Sequence, residues 1–322
     1  MHAVVTGAGG FIGSWLAEAL VASGHRVTGI DAGRRVDGPP VGAPGPVAAQ
    51  AGARFEVVRA DLADPDVDLV ELLAGAGVVF HLAAQPGVRG SWGEDFARYA
   101  RDNVVATQRV LEAARRTPGL ERVVVASSSS VYGEAGDRPS REDDPLNPRS
   151  PYGVSKLTAE HLCRVYAESW GVPTVMLRLF TVYGPRQRPD MALHRICAAA
   201  LAGVPFARFG SGRARRDLTF VDDAVAAFLA AATADLAPAT ALNVAGGSTA
   251  SLTELIDLVG SLAGAEVRID DCPAQPGDVE VTSGDVEASG RLLGWAPSTP
   301  LAEGVARQLA WHRQAAPATI PG

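Results

Sequence analysis

The first half of the chain alternates short apolar runs with longer segments of helical period. His2–Thr6 is typical of a strand, Phe11–Ala22 of a helix, and residues 26–30 of a second strand. Further strands are predicted at 54–58, 78–82, 122–127 and 172–179, with helices around 69–73, 95–116 and from about 151 onward. Most of these strands are apolar throughout, which indicates a parallel sheet that helices cover on both faces.

After about residue 183 the pattern is less regular. Helical periods recur near residues 191–202, 222–233 and 252–262, without a matching series of apolar strands. A stretch rich in Gly, Pro and Ala between Gly33 and Gly52 is typical of a surface loop. The second half is therefore expected to form a smaller lobe, partly built from segments that cross back over the sheet.

Composition excludes several classes of protein. The chain has 322 residues, of which 47% are hydrophobic and 20% charged, so global disorder is excluded. Its net charge of −7 disfavours a nucleic-acid-binding surface. Cys163, Cys197 and Cys272 have no metal-ligand spacing, which predicts reduced thiols and no metal site. Without a signal segment or a long apolar run, a soluble cytoplasmic protein with no membrane partner is expected.

Tyr152 and Lys156 are the strongest candidates for chemistry. They are four residues apart, so on a helix they lie one turn apart on one face. A nearby ammonium favours the phenolate and lowers a tyrosine pKa from about 10. Hydroxyls from the run Ser127–Ser130 could complete a proton relay to a substrate alcohol. Because Tyr-x-x-x-Lys is common on helix surfaces, its interpretation depends on the rest of the chain.

A glycine-rich segment follows the first predicted strand and opens the first predicted helix. Gly7, Gly10 and Gly13 would permit a tight turn and a close approach of backbone N–H groups to a pyrophosphate. Asp31 ends the second strand, where a carboxylate binds the adenosine ribose and repels a 2′-phosphate. NAD is therefore the predicted cofactor, although the neighbouring Arg34 and Arg35 leave NADP open.

These features predict an α/β fold: a doubly wound parallel sheet of the Rossmann type with a smaller C-terminal α/β substrate lobe. The NAD-binding domain is expected to span residues 1–180, with returning segments from about 215 to 248. The substrate lobe is expected to occupy mainly residues 181–322.

Together the motifs resemble the extended short-chain dehydrogenase/reductase family, and within it the nucleotide-sugar epimerases and dehydratases. The resemblance covers nearly the whole chain. The matching pieces are Thr6–Gly13, Asp61–Leu62, His81–Ala84, Asn103, Ser127–Gly133, Tyr152 with Lys156, Tyr183–Pro185, Arg216–Asp217 and Val221–Asp223.

The resemblance implies a role for each matching residue. Tyr152 would be the base that takes a proton from a sugar hydroxyl, Ser128 would hydrogen-bond the same oxygen, and Lys156 would hold the nicotinamide ribose. The implied NAD-binding residues are Gly7, Gly10, Phe11, Ile12, Gly13, Asp31, Asp61, Leu62, Leu82, Ala83, Ala84, Asn103 and Lys156. The implied UDP-sugar-binding residues are Arg89, Ser129, Thr181, Arg186, Arg188, Arg216 and Asp278. His81 is interpreted as a packing residue.

Departures from relatives narrow the expected reaction. Hexose 4,6-dehydratases carry an acid after the catalytic Ser or Thr, and decarboxylases that make UDP-xylose carry Glu at the position of Ser130. This chain has Ser129 and Ser130 there, which favours epimerisation. The runs 181–192 and 85–89 are similar to those of UDP-glucuronate 4-epimerases. An arginine fork suits the substrate carboxylate, with Arg188 the first choice and Arg186 the second.

Several alternatives stay open from the sequence. The first is a 4-epimerase of UDP-glucose or UDP-N-acetylglucosamine, the second a UDP-glucuronate decarboxylase. A non-catalytic NAD-binding scaffold is a third, although such relatives typically lose the Tyr or the Lys. The resemblance also implies a homodimer that pairs through the two long helices at 95–116 and 152–170.

Overall fold

The computed structural model describes residues 1–33, 54–136, 138–274 and 277–314. The predicted loop between Gly33 and Gly52, including Arg34 and Arg35, lies almost wholly outside the described residues.

Seven parallel strands form the main sheet of the described part of the chain, in the order β3-β2-β1-β4-β5-β6-β10. These strands are β1 His2–Thr6, β2 Arg26–Asp31, β3 Phe55–Arg59, β4 Val78–His81, β5 Arg122–Ser128, β6 Thr174–Leu179 and β10 Thr240–Val244. The direction of progression reverses between β1 and β4. A crevice forms at such a switch point, beyond the carboxyl ends of the strands, and this is where dinucleotides bind. The predicted α/β fold is confirmed.

Helices cover both faces of this sheet. In the described part of the chain, the α-helices of both halves are α1 Phe11–Ala22, α2 Leu69–Leu72, α3 Phe96–Tyr99, α4 Ala106–Arg115, α5 Pro151–Trp170, α6 Ala192–Ala202, α7 Val221–Thr233, α8 Leu252–Ala263, α9 Glu287–Leu293 and α10 Leu301–Gln314. A π-helical segment, Ala100–Val105, joins α3 to α4. The predicted helix at 95–116 is therefore continuous but not uniformly α-helical.

Two further small sheets lie in the second half of the chain. One contains β7 Thr181–Tyr183, β9 Arg215–Phe220, β11 Thr249–Ser251 and β13 Val281–Thr282; the other pairs β8 Phe206–Phe209 with β12 Ile269–Cys272. In the returning segment, β10 joins the main sheet beside β6, whereas β9 belongs to the smaller sheet. The proposed division into two lobes stays a prediction.

Alternate residues of the central strands supply two cores. Val5, Phe80 and Val124 pack on the face covered by α1 and α7. Their neighbours Val4, Val79 and Val123 pack on the face covered by α4 and α5. Because successive side chains of a strand point to opposite faces, a sheet buried on both sides needs apolar residues at every position.

Large apolar side chains are exposed on the helices for which pairing was predicted. Val105, Val154, Val165 and Trp170 are exposed. The homodimer stays a prediction, which this surface supports. Among the described residues, the structure has no helix with the length and apolar character needed to cross a membrane.

Candidate active site

The glycine-rich loop lies between the end of β1 and the start of α1. Gly7 has a φ of +71°, and a Cβ there would come within 2.8 Å of the Ala83 backbone nitrogen. A Cβ on Gly13 would come within 2.1 Å of the Gly7 carbonyl oxygen. The first turn of α1 has no side-chain cap at Gly10, so its N–H groups are free of a side-chain acceptor. This loop therefore fits a pyrophosphate at a helix N-terminus.

The other predicted cofactor residues follow the carboxyl ends of neighbouring strands. Asp31 ends β2, and its carboxylate accepts hydrogen bonds from Gly9 N at 3.0 Å and Gly33 N at 2.8 Å. Asp61 forms an ion pair with Arg101 beyond β3. Leu82, Ala83 and Ala84 follow β4, and Phe11, Ile12 and Leu62 flank the same edge of the sheet. The structure thus brings the predicted NAD residues to the switch-point crevice.

Asn103 occupies a different kind of position. Its Oδ1 accepts from Gln85 N at 2.7 Å, and its Nδ2 donates to Gln85 O at 3.0 Å and to Ser155 Oγ at 2.9 Å. Both amide hydrogens are used within the protein, so the residue positions the 85–89 segment against α5. A direct cofactor contact through Nδ2 would require one of these bonds to break.

Close packing of α5 on the serine turn brings Tyr152 to Ser128. The helix begins after Ser150, whose Oγ caps Gly153 N at 3.1 Å, with Pro151 in the first turn. A Cβ on Gly153 would come within 2.6 Å of Ser130 O, so only glycine permits this approach. Ser128 ends β5, and its hydroxyl is near enough to Tyr152 to act on the pKa of the phenol. The predicted hydroxyl pair is therefore present.

The protein's own groups raise the pKa of Tyr152, contrary to the expected lowering by Lys156. Burial raises this pKa, while the hydroxyl of Ser128 and the positive charge of Arg188 act in the opposite direction. Lys156 instead donates from Nζ to Ala126 O at 2.9 Å, and burial lowers its own pKa to about 8. Lys156 is thus fixed against β5, and with this pKa its amine is mostly protonated at neutral pH and loses its charge in mildly alkaline solution.

Arg188 and Arg186, the two candidates for binding the substrate carboxylate, lie in different places. Arg188 forms a bidentate pair with the exposed Asp190, at 2.9 and 2.8 Å. Burial raises the pKa of Tyr99 and of Tyr152, and the charge of Arg188 opposes both rises, so Arg188 lies near these two phenols. Arg186 instead forms a bidentate pair with Glu18 on α1. The guanidinium of Arg186 is thus paired with a largely buried carboxylate, and its contact with the substrate stays a prediction.

Three other predicted substrate residues gather at one end of the site. Arg89 Nη2 lies 2.8 Å from Asp278 Oδ2, and both act on the pKa of Arg216, which burial lowers. Asp278 also borders a 360 Å³ cavity with Glu134 and Arg149. The remaining two predicted residues, Ser129 and Thr181, stand directly after β5 and at the start of β7. Arg89 and Arg216, which both lie near Asp278, have the charge that suits a diphosphate.

Sequence reasoning missed Tyr99 and the buried pair Glu160–Arg178. The Tyr99 ring meets the Tyr152 ring edge to face at 6.2 Å, and its hydroxyl donates to Pro86 O at 3.1 Å. Its spacing of four residues before Asn103 was an available helical signal. Glu160 lies one turn after Lys156, but no sequence signal pairs it with Arg178 on β6.

His81 is buried, as its interpretation as a packing residue requires. Its Nδ1 is 2.8 Å from Thr6 Oγ1 and its Nε2 is 3.0 Å from Thr107 Oγ1. Burial and the nearby charge of Lys156 lower its pKa to about 3, so the ring is neutral at working pH. A neutral ring whose two nitrogens both hydrogen-bond within the protein has a structural role.

The described cysteines are free thiols, and no metal-binding cluster of His, Cys, Asp or Glu occurs in the described ranges.

Fold and site together define a dinucleotide-binding Rossmann protein with a Tyr, Ser and Lys site at its switch point. The model of the NAD dependent epimerase/dehydratase family matches residues 3–245. The chain belongs to this family, which confirms the predicted family, the NAD cofactor and the assignment as an enzyme.

Known relatives match along almost the full length. UDP-glucose 4-epimerase of Mycolicibacterium smegmatis is 37% identical over 97% of this chain and 99% of its own. The structure of Bacillus cereus UDP-glucuronic acid 4-epimerase with UDP-glucuronic acid and NAD has a TM-score of 0.91, at 38% identity over 98% of this chain and 99% of that one. MoeE5 with UDP-glucuronic acid and NAD has a TM-score of 0.88, at 41% identity over 98% of this chain and 100% of that one.

Proposed function

We propose that the protein is an NAD-dependent 4-epimerase that converts UDP-glucuronate to UDP-galacturonate through a 4-keto sugar. Bound NAD would accept a hydride from C4 and return it to the opposite face of the ring. Relatives named as UDP-glucuronic acid 4-epimerases support the reaction class. The choice of a uronate depends on Arg188.

The hydroxyl pair supplies the proton transfer. Tyr152 takes the proton of the C4 hydroxyl as the alcohol is oxidised, and gives it back as the ketone is reduced. Ser128, whose hydroxyl lies near Tyr152, would hold the same oxygen in place. The raised pKa of Tyr152 suits the second half of this cycle, because a neutral phenol is the required acid.

The observation that carries the uronate assignment is the position of Arg188. It lies close enough to Tyr152 to influence its pKa, and its partner Asp190 has a side chain that is 60% exposed. An exposed carboxylate is weakly held. The C6 carboxylate of a hexuronate can therefore take the place of Asp190 on the guanidinium fork.

A residue that binds the substrate carboxylate is also needed to prevent loss of CO2 from the intermediate. The 4-keto form of a glucuronate is a β-keto acid, and it loses CO2 when the breaking C–C bond aligns with the carbonyl π-system. Arg188, assisted by a hydroxyl such as that of Thr181, would hold the carboxylate out of this alignment. A weaker clamp would release a pentose product.

A second candidate is a 4-epimerase of UDP-glucose. The Mycolicibacterium smegmatis relative carries that activity in its name, and MoeE5 also has a structure with UDP-glucose and NAD. A panel of UDP-glucuronate, UDP-glucose and UDP-N-acetylglucosamine, each incubated with NAD and analysed by NMR, decides between them. UDP-galacturonate is the expected product; turnover of the neutral sugars alone, or a UDP-pentose alone, would overturn the proposal.

Arg188→Ala tests which residue selects the uronate. Loss of a charged hydrogen-bonding fork should reduce kcat/KM for UDP-glucuronate by about 10- to 100-fold. Any turnover of UDP-glucose should change little, since that sugar has no carboxylate. Arg291→Ala, at an exposed arginine on α9, is the control. Equal losses on both sugars would contradict the assignment of Arg188.

A further inference from the structure

Arg186 has a strained backbone and a fully engaged side chain. Its φ is +67°, a left-handed conformation that costs energy for a residue with a Cβ. Its Nη1 and Nη2 donate to Glu18 Oε1 and Oε2 at 3.0 and 3.1 Å. The side chains are 25% and 10% exposed, so the pair is largely shielded from water. Such strain persists only where the surroundings hold the residue firmly.

Trp15 adds a second attachment at the same place. The Arg186 guanidinium stacks over its ring at 4.2 Å from the centroid. The indole Nε1 donates to Pro185 O at 3.0 Å. Glu18 and Trp15 are both on α1, whose first turn forms the predicted pyrophosphate site. Segment 184–187 is therefore attached to the helix that begins at the cofactor loop.

The other side of this segment is attached to α10. Gln308 accepts from Gly184 N at 2.9 Å and donates to Gln187 Oε1 at 2.8 Å. Gln187, which is 2% exposed, also donates to Val182 O at 3.0 Å. Arg188 is the next residue, and its guanidinium pairs with an exposed carboxylate. The fixed segment thus ends where the candidate substrate ligand begins.

We propose that Arg186 is a positioning residue: with Glu18 and Trp15 it fixes the position of Arg188 relative to the NAD-binding helix. The inference rests on the proposed function for the identity of the ligand that Arg188 holds. It assigns Arg186 a role different from direct contact with the substrate. Uronate recognition would then depend on two residues of the cofactor helix that do not touch the sugar.

A double-mutant cycle on the full-length enzyme tests whether Arg186 acts through Arg188. Arg186→Met should raise KM for UDP-glucuronate by about 10-fold with kcat little changed, since one charged, stacked pair is lost. In the Arg188→Ala background, the same change should have little further effect, because the positioned group is gone. Losses that simply multiply in the double variant would overturn the proposal.

Hydrogen–deuterium exchange provides a measurement independent of the substrate. Arg186→Met and Glu18→Gln should each increase exchange in residues 184–191 and leave the middle of α5 unchanged, whereas Arg186→Lys should give an intermediate result. Arg115→Met is the matched control, since Arg115 also pairs with a glutamate, Glu112, and stacks on a tryptophan, Trp170. Unchanged exchange in 184–191 would overturn the proposal. If the wild type does not epimerise UDP-glucuronate, the proposed function fails, and exchange alone decides the role of Arg186.

Discussion

The floor of the site, which Ser128 and Lys156 form, differs from the loop at residues 184–191 in burial. On the floor, Ser128 and Lys156 are buried and attached to β5 and α5, which belong to the central sheet and its cover. In the loop, Arg188 and Asp190 form a partly exposed pair that follows a strained residue. The reacting oxygen therefore meets buried groups, whereas the part of the sugar that varies between substrates would meet a guanidinium whose protein partner, Asp190, is exposed.

The difference suggests that the floor carries the proton transfer, whereas the loop determines which sugar is bound. Below Ser128, the buried Glu160 accepts from Ser127 Oγ at 2.5 Å and from Arg178 Nη2 at 2.8 Å, and Arg178 also donates to Tyr132 OH at 2.8 Å. A fully satisfied buried network of this kind is costly to alter. A change at the exposed Asp190 should cost much less, so related enzymes can differ at this end of the loop and keep the same proton transfer.

The largest expected effect comes from the floor. Tyr152→Phe removes the proton-transferring hydroxyl and should reduce kcat by about 100- to 10,000-fold. NAD affinity should be little changed, because the cofactor loop is untouched; fluorescence titration of bound cofactor measures this. Wild-type turnover by the variant would show that the proton relay involves another residue.

Loss of Arg178 should have the next largest effect, which is a decrease in the stability of the folded protein. Arg178→Met leaves Glu160 buried without its cation, which should cost about 3–5 kcal/mol in the free energy of unfolding measured with urea. Asp190→Ala, at the exposed pair in the loop, should cost less than about 1 kcal/mol. Similar costs for the two variants would remove the distinction between floor and loop.

Lys156 should make stability depend on alkaline pH. Its folded-state pKa of about 8 is below its ordinary value of 10.5, so the cost of burying the ammonium is fully present below pH 8. As pH rises from about 8 to 10.5 the unfolded chain binds more protons, and the folded state gains on the order of 3 kcal/mol. Urea unfolding of wild type should show this gain relative to Lys156→Met. Parallel curves for the two proteins would contradict the lowered pKa of Lys156.

Local sequence signals were sufficient for the cofactor loop and for β1 to β6 of the main sheet, whereas the strand β10 was not predicted. The bounds of β1 and α1 match the prediction, and β2 to β5 differ by one residue, because buried strands are apolar throughout and glycine spacing marks the turn. The strands of the smaller sheets were not predicted, since they are short and partly polar. The π-helical segment at Ala100–Val105 was also missed, because it keeps a helical apolar pattern.

The sequence patterns could not predict which residues far apart in the chain form hydrogen bonds with one another. Arg186 was the second choice for the substrate carboxylate, in a run that resembles UDP-glucuronate 4-epimerases, yet Glu18, 168 residues away along the chain, pairs with it. The effect of Lys156 on Tyr152 was likewise inferred from helical spacing. Its ammonium points instead to Ala126 O, an acceptor that only the packing of α5 on β5 supplies.

Epimerisation at C4 is tested most directly with UDP-glucuronate that carries deuterium at C4. If the hydrogen leaves C4 and returns to the opposite face within the closed site, the UDP-galacturonate formed in ordinary water keeps its deuterium, which NMR and mass spectrometry detect. Replacement of the label by solvent hydrogen, or the absence of UDP-galacturonate, would contradict the proposed reaction.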